Sequence, residues 1–319
     1  MAQVLRFKNA DKVRLSITQQ QQRDILSMYK SLSKDVSKQI SSIGKRNMQR
    51  SSLIMLQHNI DNRIQQLNND IRNNVVRNMR TMAESVVDDS RDFLLQCGFA
   101  ERDVVKAFNN VPAQVVRNIY TGNIYDTPWS LDNAIWGYNK KTQQTLTEII
   151  AKGTAAEKSA YEIAKDIEKY VDPAATKESR TINSWRYDKN GKKISDSFYI
   201  GDVDYNAQRL ARTMVSHAYQ QSFMSVNEHD PFVIGYRWLT SNFHGRVCPI
   251  CMDRATRDAY GLGAGIFPKD KLPVDHPNGM CTYEAVIEDS MDDIGKKIAD
   301  WYKAPSGTYP DIDRYAADF

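Results

Sequence analysis

The sequence predicts a mainly α protein with a small α+β module toward the C-terminus, and three observations carry that prediction. From Leu53 to Val86, apolar side chains recur every three or four residues, the spacing of one face of a helix. Around Asn190-Gly191 the pattern changes to two aromatic, alternating runs, Ser184 to Tyr187 and Ser197 to Ile200, the signature of a short β-hairpin. Farther on, Cys248 and Cys251 are followed, after a loop rich in Gly and Pro, by His276 and Cys281. Side chains so spaced can staple the two ends of a loop through one cation.

The elements follow in order. Residues 1–16 show no periodicity and are expected to be irregular or weakly extended. From about Ser16 to Ile43 the positions Ile25, Met28, Leu32, Val36 and Ile40 step by three or four, a first helix. Gly44 and the basic pair Lys45-Arg46 interrupt it. The pattern resumes through Leu53, Leu56, Ile60, Ile64, Leu67, Ile71, Val75, Met79, Met82 and Val86. The mean step is about 3.67, nearer an 11-residue repeat than a heptad. Asn, Gln and Arg fill the positions between. So narrow a seam on so long a helix is not by itself the core of a compact domain. Two arrangements cover it: the helix lies along partner helices or another subunit, or the chain folds back at Gly44 into a hairpin packed on itself.

A helical middle follows. Phe99 to Arg102 opens a helix leading to Val104, Val105 and Phe108, and Pro112 opens one carrying Val115, Val116, Ile119 and Tyr120. Trp129 and Trp136 are expected as large core anchors, the second in a helix from Ser130 to Tyr138. A helix from Lys141 to Ala151 is expected to break at Gly153, and another spans Ala156 to Tyr170, closed by Asp172-Pro173. After the hairpin, Tyr205 to Glu228 is strongly helical, with Leu210, Met214, His217, Ala218 and Gln221 near one face. Val233 to Leu239 and Thr282 to Ile287 read as strands on either side of the Cys/His loop. Met291 to Tyr302 is a last amphipathic helix. Pro305 to Phe319, with three aspartates and no periodicity, reads as an extended tail. The organisation expected is a long helical, basic assembly segment (1–90), a helical domain (91–175), an α+β module with a zinc site (176–290), and a terminal helix with an extended acidic tail (291–319).

Composition narrows the function classes. At 319 residues and 41% hydrophobic, the chain has ample material for a core. The N-terminus lacks the apolar region of a secretory signal, and no run of 18 apolar residues occurs. Four cysteines do not make a disulfide scaffold, which points to synthesis in a reducing cytoplasm. The net charge is only +4, but residues 1–87 hold fifteen Lys and Arg against six Asp and Glu. Lys45, Arg46, Arg50, Arg63, Arg72, Arg77 and Arg80 are therefore candidate contacts for a polyanion such as double-stranded DNA, made through phosphates and without sequence preference. The ordinary alternative is a solvated helix face. Arg209 and Arg212 are expected to pair within the fold.

The clearest chemistry is metal binding. Cys248, Cys251, His276 and Cys281 offer four ligands for one structural Zn2+ in a closed site with no position left for water. Asp253, His244 and Asp275 are second choices. The alternative is buried free thiols beside an unrelated histidine. An HNH-type endonuclease is suggested by Asp275-His276, where such a pair would set a base beside a divalent cation, but no N-x-L…H segment and no second C-x-x-C follow. A zinc deaminase needs H-x-E before P-C-x-x-C, and here the cysteines come first. G-x-S-x-G, H-E-x-x-H and P-loop motifs are missing. No catalytic residues are assigned, and the chain is not expected to be an enzyme.

One resemblance adds to this. Trp238-Leu-Thr-Ser241, then Arg246-Val-Cys-Pro-Ile-Cys251, then Pro273-x-Asp-His-Pro-Asn278-x-x-Cys281 resembles the phage minor head (head-morphogenesis) proteins of the Mu protein F-like kind. The likeness runs from roughly Gly122 to Val286, through Gly122-Asn-Ile-Tyr125, Ser130-Leu-Asp-Asn-Ala-Ile-Trp136 and the Ile149 to Ile167 helix pair. That family commonly ends the block in H-P-N-C-R-C, whereas Gly279 stands here in place of the inner cysteine. The resemblance implies a virion component present in a few copies, at the portal vertex or the capsid interior. It would be assembled in the host cytoplasm with the portal protein and the major capsid or scaffolding protein, and would act in head assembly and in DNA packaging or ejection.

Overall fold

The computed structural model of the chain describes residues 3–42, 50–125, 128–156, 158, 160–171, 180–187, 193–200, 205–241 and 247–317. Gly44, Lys45, Arg46, the Asn190-Gly191 turn and His244 lie outside these residues. The elements run β1 (Gln3–Arg6), α1 (Lys8–Ser42), α2 (Arg50–Gln96), α3 (Glu101–Val104), α4 (Val111–Thr121), α5 (Leu131–Ala155), α6 (Ala160–Val171), β2 (Arg180–Tyr187), β3 (Lys193–Ile200), α7 (Tyr205–Asn227), β4 (Val233–Leu239), α8 (Pro249–Thr256), β5 (Ile266–Phe267), β6 (Thr282–Ile287), α9 (Met291–Lys303) and α10 (Pro310–Ala316). The protein is mainly α with a small antiparallel sheet. Among the described residues no helix is long and apolar enough to cross a membrane.

The chain divides into two compact units, each gathered from separated stretches: residues 1–17, 77–119 and 213–319 form one, and residues 18–76 and 120–212 the other. In the second unit α1, α2 and α5 pack side by side. The α2 seam predicted from periodicity is buried at Leu56, Ile60, Ile64, Leu67, Ile71 and Val75, facing Ile25, Tyr29, Leu32, Val36 and Ile40 of α1 and Leu131, Ile135, Leu146 and Ile150 of α5. Polar pairs set the register. Asn74 Nδ2 donates to Asp24 at 3.0 Å and Arg63 pairs with Asp35, which fixes α1 and α2 as antiparallel. Tyr29 donates to Asn139 Oδ1 at 2.6 Å, and Asn139 in turn donates to Asn68. The seam is thus covered inside the chain by its own helices. The antiparallel α1–α2 pair matches the fold-back expectation in direction, but α5 shares the cover, so the pair does not pack on itself alone. In the same unit β2 and β3 pair antiparallel from Arg180↔Ile200 to Tyr187↔Lys193.

Several sequence expectations are corrected here. The α5 helix does not break at Gly153, which is buried within it because Ile163 of α6 lies where a side chain would be. Trp136 is not a core anchor. It is 57% exposed beside buried Ile135, with the Lys140 ammonium 4.6 Å from its ring centre. In the other unit, the helix expected from Ser16 already starts at Lys8, and β1 precedes it. The expected extended tail contains α10, begun by Pro310 and seated by buried Ile312 and Tyr315.

The first unit places the site. Its sheet has the order β1-β6-β4-β5, all antiparallel. One face is packed by α7 through aromatic rings. Phe223 meets Phe7 and Tyr236 edge-on, each at 5.1 Å, and Tyr219 stacks on Tyr283 at 6.0 Å. Such ring pairs add about 0.5–1.5 kcal/mol each beyond the area they bury. The α9 and α10 helices close a second cluster in which Phe99 contacts Trp301 and Tyr315.

Candidate metal centre

The sequence Cys248-Pro249-Ile250-Cys251 makes its own local structure. Pro249 occupies the first turn of α8, where its missing N–H costs nothing. Cys248 is the N-cap, its Sγ accepting from the Cys251 N–H at 3.3 Å. The second cysteine is thereby turned to the same side as the first.

The opposite wall is the segment from Pro273 to Cys281, held by one face of α7. Gln220 Nε2 donates to the Pro273 carbonyl at 2.7 Å, and Gln220 Oε1 accepts from the Asp275 N–H at 2.9 Å. His217 Nε2 lies 2.9 Å from the Asp275 carbonyl. Ser216 donates to the Gly279 carbonyl and Thr213 accepts from the Asn278 N–H, both at 2.8 Å. Positions 213, 216, 217 and 220 form one helical face, so the segment is anchored along nearly its whole length. From the far side, buried Arg14 donates to the carbonyls of Cys281 at 2.8 Å and Met280 at 3.1 Å. On the near side, Arg254 of α8 stacks over Trp238 at 4.7 Å and donates to the Val274 carbonyl.

Between these walls His276 Nε2 lies 3.2 Å from Cys248 Sγ and 3.1 Å from Cys251 Sγ. Its Nδ1 donates to the Pro277 carbonyl at 3.0 Å, which leaves the Nε2 lone pair facing both sulfurs. Holding the ring through its other nitrogen is how proteins orient a ligating histidine. Cys248, Cys251 and His276 form one triad of possible ligands, and Cys251, Asp275 and Cys281 a second. Together the five can hold a metal ion. The four residues singled out by spacing are therefore all here, with Cys281 in the second triad.

Electrostatics differ across the cluster. Burial raises the Cys248 thiol pKa, but the Cys251 N–H and thiol and the charge of His276 outweigh it, so the net shift is downward. Burial and the hydrogen bond with Cys248 push the Cys251 thiol up. Burial and the Asp275 charge do the same to Cys281. For His276, burial is outweighed by the Pro277 carbonyl, Asp275 and Cys248, and its pKa rises. His217 is kept neutral mainly by burial.

The residues fit a metal on a further observation. The Asp275 carboxyl is 1% exposed, and its Oδ2 has no hydrogen-bond partner, a costly state for a buried acceptor unless a cation satisfies it. Sequence reading ranked Asp275 second because an isolated aspartate has no ligand spacing. It did not find Arg14, Thr213, Ser216 or Gln220, which act at a distance in sequence. Asp253 is exposed.

The candidate polyanion contacts fare differently. Arg63 pairs with Asp35, Arg72 with Asp132 at 3.4 Å and Arg80 with Glu84 at 3.0 Å, and Arg77 is likewise engaged. The structure describes no side chain for Arg50. No family model, curated protein or solved structure matches this chain.

Proposed function

We propose that this chain is a structural, non-enzymatic head-assembly protein of a tailed phage, with a zinc ion closing the loop between β4 and β6. The observation that carries the zinc is the approach of Cys248, Cys251 and His276 to within 3.1–3.2 Å of one shared nitrogen. Two sulfurs and an imidazole favour zinc over magnesium or calcium. Bound there, the ion fixes the cluster's geometry and joins α8 to the 273–281 segment. The head-assembly reading rests on the motif order from Trp238 to Cys281, and the portal, capsid and scaffolding partners rest on it too.

Two observations count against the endonuclease alternative and for a structural role. Both ring nitrogens of His276 are engaged, Nδ1 by a carbonyl and Nε2 by two thiols, so it is poorly placed to act as a base. The ion pairs of Arg63, Arg72 and Arg80 reduce what the helices offer to DNA.

Protein purified without chelator should carry about one zinc per chain, and EDTA should lower its thermal midpoint. Less than about a tenth of an equivalent, with stability unmoved by EDTA, would sink the zinc. Imaging of intact particles should find the chain inside the capsid or at the portal vertex. Its absence from particles, or DNA nicking abolished by His276→Ala, would overturn the assembly reading.

A further inference from the structure

Three ligands leave a zinc site one short. Two donors compete for the fourth place, the Cys281 thiol and the Asp275 carboxylate, both buried and both grouped with Cys251. Cysteine spacing alone favours Cys281. We propose instead that Asp275, through Oδ2, is the fourth ligand, and that Gly279 is glycine to make room for it. The proposal rests on the zinc reading above and assigns one of its ligands.

Three observations support the carboxylate. Asp275 Oδ1 accepts from the His276 N–H at 2.8 Å, which fixes the carboxyl group beside the ligating ring. That oxygen lies 4.0 Å from His276 Nε2, so the carboxylate stands beside a member of the first triad as well as belonging to the second. Its other oxygen, Oδ2, is buried and without a partner, as a monodentate metal ligand is before the metal arrives.

The glycine is the second half of the argument. A Cβ placed on Gly279 would fall 2.1 Å from Asp275 Oδ2 and 2.3 Å from its Cγ. No side chain fits unless the carboxylate leaves. The Gly279 carbonyl is tied to Ser216 at 2.8 Å and its N–H to the His276 carbonyl at 2.9 Å, so the backbone cannot easily yield either. Carboxylate and glycine therefore occupy one space between them.

Cobalt substitution tests this, because the intensity of sulfur-to-cobalt charge transfer counts thiolates. The full-length chain loaded with Co2+ should show two. Cys281→Ser should keep that intensity, whereas Asp275→Asn should bind Zn2+ at least tenfold more weakly in chelator competition. Gly279→Ala, which alters no donor, should weaken Zn2+ by a similar factor, and helicity by circular dichroism checks that each variant is folded. A three-thiolate spectrum that loses a third of its intensity in Cys281→Ser, or unchanged Zn2+ affinity in both Asp275→Asn and Gly279→Ala, overturns the assignment and leaves the zinc site standing. Failure of the unaltered chain to bind either ion overturns both.

Discussion

Asp230 sits where water scarcely reaches, 1% exposed in the turn between α7 and β4. Burial raises its pKa to about 6, against the opposing pull of the Phe232 N–H and the Lys269 ammonium. The folded state therefore binds its proton more tightly than the unfolded chain does. The stabilising contribution is full below the unfolded pKa and is lost as pH rises through about 6. Between pH 4 and 7 this one group should shift stability by about 1–3 kcal/mol. Denaturant titrations should find that Asp230→Asn flattens that part of the pH profile and is more stable than the parent at pH 7. Arg14 is the other informative single residue. Its donors hold the Met280 and Cys281 carbonyls, and Arg14→Met should cost about 2–4 kcal/mol by leaving both buried acceptors bare. A chemical melt within 0.5 kcal/mol of the parent, a margin set by ordinary surface substitutions, would contradict that. Neither role is legible in the sequence. Arg14 is one arginine in a polar stretch, and the carbonyls it holds lie more than 260 positions away.

At the scale of elements, Gly153 gives the clearest test. Alanine for glycine in an exposed helix interior gains about 1 kcal/mol. Here a Cβ would meet Ile163 Cγ1 at 2.6 Å, so Gly153→Ala should lose about 1–3 kcal/mol through overpacking of α5 on α6. A thermal midpoint above the parent's would show that α6 simply moves aside. The same glycine shows what a sequence does and does not reveal. Periodicity located the α2 seam residue by residue from Leu56 to Val86, because so many successive apolar positions leave little choice of face. It could not say what the seam packs on, since that depends on Asn74, Asn139 and Arg63 finding partners far along the chain. Glycine reads as a breaker until its neighbour is known. The α10 helix was missed because seven residues with two buried side chains are too short to show a period. The cysteines and His276 were legible from spacing. Asp275 as an unpartnered acceptor was not, because the burial of one oxygen is a property of the assembled loop.

For the molecule as a whole, the units are built from stretches that alternate along the chain. The β6 strand that follows the cysteine-rich loop is flanked on one side by β1, from Gln3↔Ile287 to Arg6↔Glu284, and on the other by β4. A fragment of residues 176–290 lacks β1, Phe7, Arg14 and the aromatic cover of Trp301 and Tyr315. It should show no cooperative thermal transition, and a sharp melt with bound zinc would mean that the early strand is dispensable. The pairing of β1 with β6 also sets a schedule. The two strands leave the ribosome about 280 residues apart, an interval of roughly 15–55 s at ordinary rates of synthesis. Through that time β1 has an open edge, and Arg14 has no carbonyls to bind. The earlier strand must wait for the later one, so the metal-binding loop closes only after about 280 further residues have been made.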